Sequence, residues 1–498
     1  METCLKPALE GPVCAASGGP AGATEVAGLA GLAWLPAAGG ALAEGPELAL
    51  ARAAARSLYE WLAAEADPDH LRALARRILV HAGPVLAFQP EDGWEAASAL
   101  AWARGHRVRV TSRGAAAAPV PGSRARRCRL LLDFSRVTAI GVDARRRLAL
   151  VGAGARLGQV QEKLAASGLS LPSRPPDPDA TLGAWLAGGG LGQRLFAHGT
   201  CVEHLRAVEA ALPQGVHVRV HQDGSLDLLD DPRAEVRHLD PPQAAAWFSG
   251  AGLPHLKPAD FARRAGRPGA VVSVLLEVGS DLPVSPHLVP FPSRGLALRF
   301  ARNVAEEAER VGRLPADLEV LSPAALEPAR AAWAEAGSLP ADYRDAPGGY
   351  VYLDFEEAAA EELLRSPSLT GPLGLQMPAT AARLLEERSR PPDPAAPGPA
   401  APALQVLLKL DALPGYLKAV ERLARWSRIP LRWEVRHLRR GRALVRLDRT
   451  TEPAGPARLP QRLVAGSLFI ALAQLAVIHF NGVPARGGAL PLGPRNVI

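Results

Sequence analysis

The chain has 498 residues, 48% of them hydrophobic and 21% charged, with Lys+Arg 57 against Asp+Glu 50 and a net charge of +7. At about 150 residues per domain this length holds two or three domains, and the balance excludes a small disulfide scaffold and a wholly disordered chain. The basic residues are nearly all arginine, spread along the chain in short runs with only 5% aromatics, which argues against a nucleic-acid-binding stripe.

The N-terminus has no basic region followed by an unbroken apolar stretch, so no secretory signal is expected. Cys4, Cys14, Cys128 and Cys201 lie far apart with no C-x-x-C pair, as suits a reducing cytoplasm and as excludes a cysteine-held cluster or structural zinc. Residues 1–50 are rich in Ala and Gly and read as a poorly ordered arm. Residues 51–80 carry apolar side chains at three- and four-residue spacing, the pattern of an amphipathic helix pair.

Short apolar runs then alternate with helical patterns. Val85 to Phe88 reads as a strand, Trp94 to Arg104 as a helix, and His106 to Thr111 as a strand ending at Arg113-Gly114, in βαβ order. Leu130 to Phe134 and Leu148 to Val151 are further strands, and a helix from Leu157 to Ser167 stops at Gly168. A glycine-rich block follows at 183–199. After Gly279, His287 to Phe291 reads as a strand, Leu296 to Val311 as a helix, and Leu318 to Leu321 and Tyr350 to Phe355 as strands. The run PPDPAAPGPAAP at 391–402 is an extended Pro/Ala linker. Leu404 to Leu410, the helix Tyr416 to Trp426, and the strands Leu431 to Val435 and Ala443 to Leu447 repeat the β-α-β-β order, so the region contains two similar halves. Leu463 to Phe480 is 18 residues without a formal charge, interrupted by Gly466, Ser467, Gln474 and His479; it reads as a buried or interfacial helix, with peripheral membrane contact open.

The most specific stretch is Leu171 to Leu212. A Pro-rich turn leads to Ala180-Thr181-Leu182-Gly183, a run of small residues, and His198-Gly199 before an apolar strand. Small side chains let backbone approach a large flat ligand, and exposed N–H groups in such a run bind phosphate oxygens. Taken singly, Arg113-Gly114 also reads as ordinary strand-to-turn punctuation, Gly188-Gly189-Gly190 as a flexible loop, and His198 as a packed aromatic substitute.

In these residues the chain resembles the FAD-linked oxidases with a p-cresol methylhydroxylase/vanillyl-alcohol-oxidase-type FAD-binding domain. Within that family it resembles the FAD subunits of glycolate oxidase and D-lactate dehydrogenase. The family's T-[IL]-G-G block corresponds to Thr181-Leu182-Gly183-Ala184, and its Y-G to His198-Gly199. Its first pyrophosphate loop, R-G-G-G-T-S after a strand, corresponds to Arg113-Gly114-Ala115-Ala116-Ala117-Ala118. Its G-x-L-G-[IV]-[IV] turn corresponds to Gly266 through Val271-Val272, and a P-x-x-[LM]-E-x-[LM] phrase to Pro315 through Leu321. The resemblance spans roughly residues 80 to 450.

It implies an α+β architecture: a two-subdomain FAD-binding domain over 51–280, then a ferredoxin-like α/β cap over 281–450, with residues 451–498 as an apolar helix and tail. It implies cofactor contacts at Arg113, Gly114, Ala115, Ala116, Ala117, Thr181, Leu182, Gly183, Ala184, Gly199, Val271 and Val272. It further implies oxidation of a small 2-hydroxy acid, with electrons leaving to a partner subunit, a quinone or another carrier. Members with covalent flavin use a His in or near the first loop and none lies there, so the FAD is expected to be non-covalent. The family's G-H-x-G-D-G-N-x-H motif is reduced here to His437 within Val435 to Arg442, so no metal is expected. No catalytic residue is assigned.

His437 itself reads as a solvated or satisfied histidine. Arg436, Arg439, Arg440 and Arg442 read either as a solvated face or as a fork for a substrate carboxylate. Because alanines replace the inner positions of the first loop, a second functional reading stays open: a non-catalytic homologue serving as a structural or regulatory subunit of a flavoenzyme complex.

Overall fold

A computed structural model of the chain describes residues 46–64, 70–81, 85–114, 130–175, 177–229, 235–262, 268–356, 376–389, 404–427, 431–438, 441–449 and 483–485. The linker at 391–402, the apolar segment at 463–480, and Ala115, Ala116 and Ala117 lie outside them. Among the described residues no helix is long and apolar enough to cross a membrane.

Helix α1 (Pro46–Ala63) begins inside the stretch read as an arm and buries Ala54, Ala55, Leu58, Tyr59 and Leu62 on one face. After α2 (Leu71–Arg76), the expected helix pair gives way to strand β1 (Ile78–His81). The Ile-Leu-Val run there carries two β-branched residues, and it pairs antiparallel with β2 (Val85–Phe88) rather than continuing the helix. Helix α3 (Gly93–Gly105) starts at Asp92, whose carboxylate accepts the Glu95 N–H. Strands β3 (Val110–Arg113) and β4 (Leu130–Asp133) complete the first sheet, in the order β1-β2-β4-β3. The expected βαβ unit is therefore split. β4 lies parallel to both β2 and β3 and is buried along its whole length, as its Leu-Leu-Leu sequence requires of a central parallel strand.

The second subdomain is antiparallel. It contains β5 (Ile140–Asp143), β6 (Leu148–Gly152), α4 (Leu157–Ala165), β7 (Leu169–Ser170), α5 (Leu182–Ala187), α6 (Leu195–His198), β8 (Leu205–Ala211), β9 (His217–His221), β10 (Leu226–Leu228), β11 (Arg237–Leu239), α7 (Pro241–Gly250) and β12 (Ala270–Glu277). Its sheet runs β11-β10-β9-β8-β12-β6-β5, while β7 pairs separately with β13 (Gly279–Ser280). Gly168 adopts φ +67 just past α4, the left-handed turn that ends the helix.

The third sheet belongs to the cap. Its elements are β14 (Val284–Phe291), α8 (Arg294–Val311), β15 (Asp317–Leu321), α9 (Pro323–Glu335), β16 (Gly349–Glu356), α10 (Pro378–Ser389), β17 (Leu404–Lys409), α11 (Leu413–Ser427), β18 (Leu431–Leu438), β19 (Arg442–Arg449) and β20 (Val483–Ala485). The order is β14-β16-β15-β18-β19-β17-β20. Within it, β14-α8-β15-β16 and β17-α11-β18-β19 form two β-α-β-β units, each with its last strand between the other two. The units meet along β15 and β18, where Val320 faces Val435 in register. Alternation sorts the two faces of this seam. Leu318, Val320, Trp433 and Val435 pack under α8 and α11, whereas Asp317, Glu319, Glu434 and Arg436 lie on the opposite face. The fold is thus the α+β arrangement of a two-subdomain domain followed by a ferredoxin-like cap.

Candidate functional site

Four segments of the first two subdomains converge on Ala153, at the end of β6. Its N–H donates to the Val272 carbonyl at 2.8 Å, and its carbonyl accepts from Gly183 N–H at 2.9 Å. The neighbouring Gly154 N–H donates to Val137 at 2.8 Å, and Ala155 accepts from Leu182 N–H at 2.9 Å. A Cβ on Gly183 would lie 3.0 Å from the Ala153 oxygen, so the missing side chain is what lets α5 approach β6. Leu182, Gly183 and Val272 are therefore together, as expected. The N–H groups of Leu182 and Gly183 are occupied by carbonyls, so these residues contribute shape rather than phosphate-binding donors.

Arg113 and Gly114 end β3 beside the same place. A Cβ built on Gly114 would overlap the Thr181 hydroxyl, which shows how closely this turn approaches the start of α5. Thr181 is 1% exposed, and among the described residues its Oγ1 has no hydrogen-bond partner. Arg113 is anchored by Asp133 at 2.7 Å, and Asp133 also accepts the Ser135 N–H at 3.1 Å. Burial works to raise the Asp133 pKa, but the Arg113 guanidinium and the Ser135 N–H hold it below the usual carboxylate value. Ala184 follows on α5 and Val271 begins the β12 irregularity that ends at Ser273, both partly buried. The structure describes none of Ala115, Ala116 and Ala117.

The glycine run is a packed turn rather than a loose loop. Gly190 N–H donates to Trp185 at 2.9 Å, Gly190 accepts from Cys201 N–H at 3.0 Å, and Trp185 Nε1 donates to the Leu191 carbonyl at 2.6 Å. Gly190 adopts φ +64 and Gly199 φ +74, so both need glycine for the path of the chain. His198 is more than a packed substitute: its Nε2 lies 3.1 Å from Glu356 Oε1 on the cap, and its carbonyl accepts from His204 Nε2 at 2.7 Å.

On the cap, His437 is 1% exposed, which corrects the solvated reading. Burial pushes its pKa down to about 4, so the ring is neutral. Arg436 is engaged, its Nε 3.2 Å from Glu319 Oε1 and its Nη1 donating to the Gly192 carbonyl at 2.9 Å. Arg442 lies half-buried at the start of β19; Arg439 and Arg440 fall outside the described residues. Among the described residues no group of three or more His, Cys, Asp or Glu side chains is placed to hold a metal ion. Sequence reasoning missed Asp317 and Arg194, buried where the cap meets the second subdomain. The available signal was the pair of acids alternating with apolar residues in Asp317-Leu318-Glu319-Val320-Leu321, which places two carboxylates on one face of a strand.

Residues 84–221 match the FAD binding domain family. The D-lactate dehydrogenase of Archaeoglobus fulgidus is 29% identical over 132 residues, covering 26% of this chain and 30% of that enzyme's length. Among solved structures, two of alkyldihydroxyacetonephosphate synthase superpose with TM-scores of 0.55 and 0.51. The first is 13% identical and covers 89% of this chain and 82% of the other; the second is 14% identical and covers 85% of each. The region 84–221 is thus an FAD binding domain, and the chain has the fold of the vanillyl-alcohol-oxidase-type FAD-linked oxidases. The residues present fit that cofactor: the buried, unpartnered Thr181 hydroxyl stands beside the side-chain-free Gly114 turn, and such a polar atom calls for a hydrogen-bonding ligand.

Proposed function

We propose that this chain is an FAD-dependent dehydrogenase of a small 2-hydroxy acid, with the FAD held non-covalently. Arg113, Gly114 and Thr181 form the phosphate side of the site in this reading; Ala115, Ala116 and Ala117, which follow Gly114 in sequence, are proposed cofactor contacts by resemblance alone. Leu182, Gly183, Ala184, Val271, Val272 and Gly199 form its small-residue wall. The observation that carries the reading is the orphaned Thr181 hydroxyl beside Gly114; the partial likeness to a D-lactate dehydrogenase supports the substrate class.

Bound there, FAD supplies the hydride acceptor. The chain's own residues bind and orient. Gly114 and Gly183 permit close backbone approach, the Arg113–Asp133 pair fixes the end of β3, and the cap closes the other side. At the domain junction, the His198–Glu356 pair ties the second subdomain to the cap. Electrons then leave to a partner subunit, a quinone or another carrier.

Titrating FAD into the wild type and Thr181→Val, then adding D-lactate or glycolate without oxygen, tests the reading. It requires FAD binding that weakens in Thr181→Val, and loss of the visible flavin band on adding a hydroxy acid. A flavin that no 2-hydroxy acid bleaches would refute the dehydrogenase assignment, while equal FAD affinity in both proteins would refute the placement of the phosphates.

A further inference from the structure

The segment 192–198 joins the glycine run to Gly199, and its polar groups are held largely from the cap. Asp317 Oδ2 accepts the Arg194 N–H at 2.7 Å, and Oδ1 accepts the Leu195 N–H at 3.0 Å. The Ala316 carbonyl accepts from Phe196 and Ala197 N–H, both at 3.1 Å. Arg436 donates to the Gly192 carbonyl, His198 meets Glu356, and Arg194 Nη2 donates to the Leu282 carbonyl at 3.2 Å. Arg194 sits at φ +65, a left-handed conformation that a branched-off side chain disfavours, and its N–H is the one Asp317 grips.

We propose that Asp317 is a positioning residue for the flavin: by gripping the backbone of Arg194 and Leu195 it sets the path of the chain from Gly190 to Gly199, so that the cap determines FAD affinity. This rests on the reading of that glycine-rich run as part of the FAD site.

The surroundings of Asp317 separate positioning from bulk stability. Glu319 on its own strand, Asp354 and Glu356 on β16, Arg436 on β18, and Arg194, Arg174 and His198 on the second subdomain are the charged or titratable groups around it. Burial, then the neighbouring Glu319, pushes the Asp317 pKa up to about 6. A carboxylic acid whose pKa is raised on folding costs stability when ionised, and that cost is relieved as pH falls from about 6 toward its ordinary value. Removing the charge while keeping the shape relieves that cost, which offsets the buried donor left when one accepting oxygen becomes an amide that cannot accept an N–H, so the melting temperature should not fall appreciably.

The test compares the wild type, Asp317→Asn, and Asp227→Asn, which removes a buried carboxylate held on β10 by Arg219, His221 and His238, with no hydrogen bond to the segment. FAD affinity is read from quenching of flavin fluorescence, the flavin environment from visible circular dichroism, and stability from melting of the flavin-free proteins. The expected result is an FAD dissociation constant raised about tenfold in Asp317→Asn, the loss of about one charge-assisted hydrogen bond, with an altered dichroism band and an unchanged or higher melting temperature. Asp227→Asn should bind FAD like the wild type. Wild-type affinity and dichroism in Asp317→Asn would overturn the proposal while leaving the flavin reading intact; a wild type that binds no FAD would overturn both. Should Asp317→Asn fail to fold, hydrogen exchange in the wild type decides. FAD must slow exchange in 192–198 and in β15 together, and protection that does not reach β15 overturns the proposal.

Discussion

Gly114 stands against Thr181 so closely that any side chain on it would fall on the Thr181 hydroxyl. This contact joins the end of the first sheet to the start of α5, across the two subdomains. Gly114→Ala must displace either the turn or Thr181, because the neighbour is a short, buried, β-branched side chain with no room to swing. FAD affinity should fall about tenfold or more and the protein should lose about 1–3 kcal/mol of stability. Calorimetry and flavin titration check both, and a variant that binds and melts like the wild type would show that the contact is dispensable.

The Arg113–Asp133 pair should matter to stability as well as to the site. Asp133 satisfies Arg113, the Ser135 N–H and, more weakly, Gln89, and replacing it with Ala strands those donors at a cost of about 2 kcal/mol. Its pKa is held down in the folded state, so its contribution is present above the ordinary carboxylate value and is lost as pH falls through the lower folded value. Urea titrations of the wild type and Asp133→Ala at neutral and strongly acid pH should therefore differ at neutral pH and converge in acid.

His437 has the opposite consequence for acid stability. The unfolded imidazole takes a proton below about 6.5, whereas the folded ring stays neutral down to about 4. It withdraws stability progressively as pH falls through that window. His437→Gln should flatten the loss of stability between these values without changing FAD affinity; an FAD affinity that falls in the variant would place His437 in the site after all.

Cys201 packs against Gly190 and is fully buried, and burial pushes its thiol up to about 12. In a protein with Cys4, Cys14 and Cys128 replaced by Ser, a thiol reagent should find no reactive group until the chain unfolds. Rapid modification of the native protein would mean that the glycine run opens.

The cap was the most legible part of the chain. Its helices carry long apolar faces, as in α8 with Ala297, Phe300, Ala301, Val304 and Ala308, and its strands are apolar runs or alternate, as in Asp317 to Leu321, so both β-α-β-β units could be read locally. β9, β10 and β11 escaped notice because they are short and, as in His217 to His221, alternate apolar with basic residues rather than forming an apolar run. The insertion of β4 between β2 and β3 is a matter of pairing, which no local pattern encodes. At the site, Thr181, Leu182 and Gly183 were legible through their resemblance to a family block. The occupation of the Leu182 and Gly183 N–H groups by Ala155 and Ala153, and the grip of Asp317 on Arg194, depend on contacts between distant parts of the chain and could not be read from either segment alone.

The central claim is that the wall around Thr181 holds FAD. The visible absorption spectrum of the purified protein, recorded before and after adding FAD and again after denaturation, tests it most directly. The account predicts oxidised-flavin bands that remain with the folded protein through gel filtration and are released on unfolding, as a non-covalently held flavin would be. A colourless protein that takes up no added FAD would contradict it, and would leave the fold serving as a structural or regulatory subunit.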